Sequence, residues 1–129
     1  DAALNEKSIP IDGDGRQTRD FTYVDTVTWV LADAVHRQVT SDRPVNLALG
    51  ANVSLVDLVD NLEGLLGRRL KVHHRPPRVG DVRESQSDPA LLQQLFPNVP
   101  ETSIEDGLSA TIEWFMSNRP HGGGPPFHA

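Results

Sequence analysis

The run from Pro44 to Leu49, PVNLAL, constrains the fold more than any other stretch of the chain. It is short, almost wholly apolar and bounded by Pro44 and Gly50. A short apolar run between turn-forming residues is typical of a strand that is buried on both faces. Such a strand needs neighbouring strands and covering helices, so the sequence predicts a mixed α/β fold.

Helices are expected around this strand wherever apolar residues recur at helical spacing. The best specified begins at Ser54, because Asp57 follows at the third position as in a capping box and Gly67 can end the helix. The other helices are expected, in chain order, from Asp25 or Thr26 to Gln38, from Asp88-Pro89 to Phe96, and from Thr102 or Ser103 to Phe115.

Further strands are expected at 8–11, 18–24 and 69–75, where β-forming residues lie between turn signals. The opening residues, 1–7, resemble the last turns of a helix. The final segment, 118–129, is rich in Gly and Pro and has little to bury, which predicts a disordered tail. The sequence therefore divides into one folded domain, 1–117, and this tail.

Composition excludes several classes of function. The chain has 129 residues, a net charge of -6 and no cysteine. An acidic balance argues against general nucleic-acid binding, because a basic face is needed to neutralise phosphates. The absence of cysteine excludes disulfides and thiolate metal sites, and no membrane span or export signal is evident. The cytoplasm is the expected compartment.

The loop that begins GDGRQTRDF, at Gly13, contains glycines and arginines but matches no standard phosphate loop. The sequence matches neither G-x-G-x-x-G nor G-x-x-x-x-G-K-[ST], and the chain continues into an extended segment instead of a helix. A calcium-binding loop is also not expected, because Arg16 stands at its third ligand position. The cations Arg16 and Arg19 remain, and guanidinium groups match phosphate oxygens well.

A second basic loop lies between Pro76 and Ser85, where Arg78 and Arg83 accompany Asp81 and Arg75 immediately precedes it. Two basic loops that face one cleft would suit a diphosphate. No metal site is expected, since the adjacent His73 and His74 would point to opposite faces of a strand and no third ligand is evident. No residue in the chain is identified as a catalytic base or nucleophile.

Four blocks in order, IDGDGRQTRDFTYVDTV, PVNLALGANVSLVDLV, RPPRVGDVRESQSDPALLQQL and SIEDGLSATIEWF, resemble the C-terminal part of extended short-chain dehydrogenase/reductases. The likeness covers 1–116 and is strongest to NAD-dependent nucleotide-sugar epimerases and dehydratases of the UDP-glucose 4-epimerase kind. It implies a small mixed α/β substrate-binding domain without the N-terminal Rossmann half. The substrate implied is a UDP- or dTDP-sugar.

The resemblance also implies roles for individual residues. Arg19, of a Q-x-R-D-F motif, and Arg78, of an R-x-G-D motif, would hold the diphosphate. Asp81 would accept a hydrogen bond from the ribose hydroxyls, and Gln17 and the backbone near Ile11 would lie close to the base. Asp12 departs from the family, which often has an aromatic residue there, so the nucleotide base is left open.

The family's cofactor and catalytic motifs are absent from this chain. NAD is bound there by a Gly-rich turn, and the proton is transferred by a Tyr-x-x-x-Lys pair. Here Tyr23 is followed four residues later by Val27. We therefore expect NAD to serve the intact enzyme and not to be bound by this portion, which should be inactive alone.

Two elements, PVNLAL and the helix from Thr26 to Gln38, would dock on the Rossmann half in such enzymes. Their apolar faces should be exposed in this chain, which predicts self-association and a homo-oligomer. The alternative is a non-enzymatic α/β binding module that uses the arginine loops for another anionic ligand.

Overall fold

A computed structural model describes residues 1–118 of the chain. The elements within these residues are, in chain order, β1 (Ile9–Asp12), β2 (Thr18–Arg19), α1 (Val24–Arg37), β3 (Val53–Ser54), α2 (Leu55–Leu66), β4 (Val72–Arg75), α3 (Ala90–Leu95) and α4 (Ile104–Ser117). The predicted mixed α/β class is confirmed. The predicted tail lies outside the described residues, except for Asn118, which caps α4.

Strands β1 and β4 form a parallel pair, in which Ile9 is opposite Val72 and Asp12 is opposite Arg75. Parallel strands end at the same edge, so the loops that follow β1 and β4 leave side by side. These are the two loops that carry the arginines. The pairing of β1 with β4 therefore brings both basic loops to one edge of the domain.

A second pair, β2 with β3, is antiparallel and leads directly into α2. The Ser54 hydroxyl accepts a hydrogen bond from the Asp57 amide at 3.1 Å, and the Asp57 carboxylate accepts one from the Ser54 amide at 3.3 Å. Gly67 ends the helix with a φ of 63°. The predicted capping box and C-cap are both confirmed.

The predicted strand at 44–49 is wrong, because no described residue pairs with it as a strand. The run still packs by its apolar side chains: Val45, Leu47 and Leu49 lie against the cluster of Val30, Leu92 and Phe96. Its backbone forms no strand pairing, because a strand needs a neighbouring strand for its hydrogen bonds and none of the described strands pairs with this run.

Several other predicted boundaries also differ from the structure: β4 begins at Val72 and not at Arg69, and α3 is capped by Pro89 and not by Asp88. The strand expected over 18–24 is limited to β2, and the Asp20 carboxylate beyond it accepts a hydrogen bond from the Gly50 amide at 3.0 Å. Helix α1 is capped by Tyr23 and not by Asp25 or Thr26. The Thr26 hydroxyl donates to the Pro100 carbonyl at 3.1 Å, so a tertiary contact uses the group that was expected to cap the helix.

Helix α1 buries one side and exposes apolar residues on the other. Val30 is 5% exposed, whereas Leu31 is 58% and Val35 is 80% exposed. Val24, at the start of the same helix, lines a shallow groove with Trp114 of α4. The expected exposure of apolar side chains on this helix is therefore observed. The same expectation for the PVNLAL run is wrong, because Val45, Leu47 and Leu49 pack against the core cluster and Ala48 is buried. None of the helices in 1–118 is long and apolar enough to cross a membrane.

Candidate functional site

The two loops at the carboxyl edge of β1 and β4 enclose a cleft of about 240 Å³. Six of its eight lining residues are polar or charged, and the lining consists of Asp12, Gly13, Asp14, Gln17, Pro77, Arg78, Asp81 and Arg83. A ligand position outside the carboxyl ends of parallel strands is common in α/β proteins. This cleft is the candidate site, and its charged side chains are the three carboxylates Asp12, Asp14 and Asp81 and the two arginines Arg78 and Arg83.

Asp12, the last residue of β1, bridges two arginines at one side of the cleft. Arg75 Nε donates to Asp12 Oδ1 at 2.8 Å, and Arg78 Nη2 donates to Asp12 Oδ2 at 3.1 Å. The Asp12 side chain is 18% exposed and that of Arg78 is 72% exposed. Arg78 is therefore anchored by one of its donors while the rest of its guanidinium remains accessible.

The R-V-G-D sequence at 78–81 forms a tight turn, in which the Asp81 amide donates to the Arg78 carbonyl at 3.2 Å. Gly80 has a φ of 82°, which is the conformation that type II turns require at their third position. Such a turn brings its first and last residues together. The glycine thus explains why Arg78 and Asp81 lie at the same part of the cleft.

Arg19 holds this turn from the other loop. Its Nη1 donates to the carbonyls of Thr18 and Val82, both at 2.7 Å, and its Nη2 contacts the Asp81 carboxylate. Both side chains of the Arg19–Asp81 pair are 31% exposed. Arg19 is not among the residues that line the cleft, so its contacts place it beside the site and against the loop that forms one wall.

Gln17 lies in the lining of the cleft, whereas the side chain of Ile11 does not. Gln17 lines it and is 7% exposed, with its side-chain amide donating to the Asp12 carbonyl at 2.7 Å. Ile11 is 4% exposed and packs its side chain beneath Gly15, away from the lining. Only the backbone of Ile11 could therefore contribute near the cleft.

Asp14 and Arg83 form an exposed pair at the mouth of the cleft, with Arg83 Nη2 donating to Asp14 Oδ2 at 3.2 Å. The Arg16 amide donates to Asp14 Oδ1 at 3.0 Å. This amide, followed by the Arg83 guanidinium, holds the pKa of Asp14 below its ordinary value. The pairing of Asp12 and Asp14 with arginines was not predicted from the sequence, because it depends on the register of β1 with β4.

The two adjacent histidines have separate partners. His73 Nδ1 and the Ser8 hydroxyl share a hydrogen bond of 2.9 Å, and His74 Nδ1 donates to the Gly13 carbonyl at 2.7 Å. In the part of the chain that the structure describes, no three His, Asp or Glu side chains are grouped as a metal would need. The His74 contact instead fixes the start of the Gly13 loop.

Comparison with known proteins relates the chain to enzymes of nucleotide-sugar metabolism. A UDP-glucuronate 4-epimerase of Thermodesulfobacterium geofontis is 34% identical over 119 residues, which are 88% of this chain and 35% of the relative. A solved structure of a UDP-glucuronic acid 4-epimerase variant from Bacillus cereus, in complex with a UDP-sugar and NAD, matches with a TM-score of 0.81 at 26% identity. That match covers 90% of this chain and 37% of the neighbour.

The UDP-glucose 4-epimerase of Thermotoga maritima, solved with UDP-glucose, gives a TM-score of 0.80 at 28% identity and likewise covers 90% of this chain and 37% of that one. No family model matches the chain. The chain thus spans little more than a third of the length of these relatives, and its likeness to the solved structures lies in their C-terminal part.

Proposed function

We propose that this chain, which belongs to the extended short-chain dehydrogenase/reductase family of nucleotide-sugar epimerases and dehydratases, supplies the part of such an enzyme that holds the nucleotide diphosphate of its substrate. The substrate is a UDP- or dTDP-sugar, and the reaction of the whole enzyme is of the UDP-sugar 4-epimerase kind. This proposal goes beyond family membership, because relatives within the family act on different sugars.

One observation carries the proposal: the cleft gathers Arg78, Asp81 and Gln17 from two loops, with Arg19 bonded to Asp81 beside them. Arginines supply paired N–H donors to phosphate oxygens, and a carboxylate accepts hydrogen bonds from hydroxyls such as those of a ribose. Arg19 and Arg78 are thus assigned to the diphosphate, Asp81 to the ribose, and Gln17 with the backbone near Ile11 to the base.

The described residues do not fit NAD, the cofactor implied by the family. A dinucleotide pyrophosphate binds where a Gly-rich turn leads from a strand into a helix N-terminus. The turn at Gly13 leads into β2, and the N-terminus of α2 is occupied by its own cap, with the Asp57 carboxylate at the amides. NAD binding and hydride transfer are therefore assigned to parts of the enzyme other than residues 1–118.

In this proposal residues 1–118 contribute binding energy and no catalytic residue. Tyr23 has no lysine four positions later, and its ring packs on Gly107, where an added Cβ would lie 3.2 Å from it. Contacts to the diphosphate are remote from the reacting sugar carbon, yet they fix the sugar in position and so lower the barrier to reaction. The chain alone is accordingly inactive in this proposal.

A titration of the chain with UDP tests the assignment. Arg78→Gln should weaken UDP binding by about tenfold or more, since a hydrogen bond between charged groups contributes roughly 1.5–3 kcal/mol. Arg43→Gln removes an exposed arginine that is not among the residues lining the cleft and should leave the affinity unchanged. Equal UDP affinity in the wild type and Arg78→Gln would reject the proposed site.

The exposed apolar side of α1 supports a further part of the proposal, self-association into a homo-oligomer. Val24, Leu31 and Val35 are more than half exposed and lie on one helix. Large apolar side chains grouped on a surface mark contacts with another protein surface. In this chain a second copy would cover them, whereas in a longer enzyme of this family the remaining domain would do so.

A further inference from the structure

The cations that line the cleft are Arg78 and Arg83, whereas Arg19 lies beside it and uses three of its five donors within the protein. A guanidinium has five N–H donors. In Arg19 both donors of Nη1 are used by the carbonyls of Thr18 and Val82, and Nη2 contacts Asp81. Arg78 and Arg83 each use one nitrogen for a carboxylate, so most of their donors remain for a ligand.

The contact between Arg83 and Asp14 is of the kind that a ligand can replace. It is a single hydrogen bond of 3.2 Å between side chains that are 69% and 52% exposed. Exposed ion pairs of this sort contribute little net free energy. Asp14 also accepts the Arg16 amide at 3.0 Å, so its carboxylate keeps a partner when Arg83 leaves.

The backbone of Arg83 is fixed while its side chain is accessible. The Thr18 amide donates to the Arg83 carbonyl at 2.9 Å, and the Ser85 amide donates to the Thr18 carbonyl at 3.3 Å. These two bonds hold the segment against β2 at the edge of the cleft. Any movement of the guanidinium away from Asp14 therefore has to come from the side-chain torsions of Arg83.

We propose that Arg83 is a further ligand-binding residue, which exchanges its contact with Asp14 for an oxygen of the bound diphosphate. The inference rests on the proposed function, since it takes the ligand to be a nucleotide diphosphate. Phosphate oxygens form stronger, often bidentate, contacts with a guanidinium than one long exposed contact to a carboxylate. Asp14 then acts as an internal competitor that holds Arg83 until the ligand replaces it.

A double-mutant cycle tests the exchange. The wild type, Arg83→Gln, Asp14→Asn and the double variant are each titrated with UDP and with inorganic pyrophosphate, after circular dichroism has established that they fold. Arg83→Gln should weaken both probes by about tenfold, the loss of one charge-assisted hydrogen bond. Asp14→Asn should strengthen both by about two- to fivefold, because a weak competing ion pair is removed.

The decisive result is the behaviour of Asp14→Asn when Arg83 is absent. If Arg83 exchanges Asp14 for the ligand, the gain in affinity caused by Asp14→Asn must disappear when Arg83→Gln is also present. A gain of equal size there would show a general electrostatic effect and would overturn the proposal, as would wild-type affinity for both probes in Arg83→Gln. Asp42→Asn serves as the control, because Asp42 pairs with Arg43 on an exposed loop outside the cleft lining.

The two probes separate this inference from the proposed function. If pyrophosphate binding depends on Arg83 but UDP binds no more tightly than pyrophosphate, the nucleotide assignment fails and the role of Arg83 stands. If UDP binds more tightly than pyrophosphate and neither depends on Arg83, the nucleotide site stands and the role of Arg83 is rejected. Absence of binding by either probe would reject both.

Discussion

Arg19, at the end of β2, and Asp81, in the loop after β4, form an ion pair between residues that are 62 positions apart in sequence. The same guanidinium donates to the Val82 carbonyl at 2.7 Å, so Arg19 binds both the side chain and the backbone of the opposite loop. These contacts fix the wall of the cleft that carries Arg78. Strand β2 and the loop after β4 therefore behave as one structural unit.

Loss of Arg19 should loosen that unit. In Arg19→Gln we expect faster amide hydrogen exchange at 81–83 and weaker UDP binding, because the shortened side chain cannot reach Asp81 and Val82 together. Arg19→Lys should recover little, since an ammonium group lacks the planar fork of donors. Unchanged exchange at 81–83 in Arg19→Gln would show that the loop is held by other contacts; Arg43→Gln is the matched control.

The stability of the turn at 78–81 should depend on the backbone conformation of Gly80 and not on side-chain packing. Gly80 has a φ of 82° and no atom within 4 Å of an added Cβ, so Gly80→Ala introduces strain without a steric clash. We expect a loss of roughly 1–2 kcal/mol, the usual cost of a left-handed conformation in a residue with a side chain, provided that the turn is retained. Urea denaturation measures the stability, and UDP titration should show weaker binding.

Gly64 provides the matched control for this substitution. It lies within α2, again with no atom within 4 Å of an added Cβ, but without a positive φ. Gly64→Ala should stabilise the chain by about 0.5–1 kcal/mol, because alanine has the higher helix propensity. Equal effects of the two substitutions would contradict the conformational explanation.

Stability should fall in acid partly through Glu63, which connects α2 to the segment before β4. Glu63 Oε1 accepts from the Leu70 amide at 2.8 Å and Oε2 from Arg69 at 2.5 Å. The Leu70 amide, followed by Arg69, lowers the pKa of Glu63 from its ordinary value of 4.5. The folded state therefore binds this proton more weakly than the unfolded state does.

The sign of the effect follows from linkage. The stabilisation from Glu63 is complete above the unfolded pKa of about 4.5 and is lost as the pH falls through the lower pKa of the folded state. Glu63→Gln should thus have a lower Tm than the wild type at neutral pH and lose less Tm on acidification. Parallel Tm profiles for the two proteins would contradict this; Glu101→Gln, on an exposed loop, is the control and should follow the wild type.

The exposed side of α1 should govern association in solution. Replacing Leu31 and Val35 by lysine should shift the chain towards monomer in concentration-dependent light scattering, because the apolar surface that a second copy would cover is lost. Val79→Lys is the control, since Val79 is fully exposed on the cleft loop and away from α1. A wild-type chain that stays monomeric at high concentration would count against the self-association proposal.

Local signals in the sequence predicted the helices better than the sheets. The capping box of Ser54 and Asp57 and the αL residue Gly67 lie within one helix, so the residues that determine α2 are close in sequence. The pairing of β1 with β4 joins segments some sixty residues apart, and no local pattern specifies it. The Pro44 to Leu49 run has the composition of a buried strand, but a strand also needs a partner within reach.

Within the candidate site, Arg78 and Asp81 were predictable from the sequence, whereas the parts played by Asp12 and Asp14 were not. Arg78 and Asp81 lie in a basic loop that is unusual in an acidic chain, and the family resemblance implied a role for each of them. The roles of Asp12 and Asp14 depend on which arginines lie opposite them, which follows only from the parallel register. Thr26 shows the same limit, since its hydroxyl is used by the distant Pro100 carbonyl instead of the helix end.

The most direct test of the central claim is a map of amide chemical-shift changes on titration of the chain with UDP. The proposed site requires that the largest changes fall on Arg78, Gly80, Asp81 and the Gly13 loop, and that uridine alone produce much smaller ones. Changes that are absent from these residues, or that fall instead on the exposed side of α1, would contradict the assignment of this cleft to a nucleotide diphosphate.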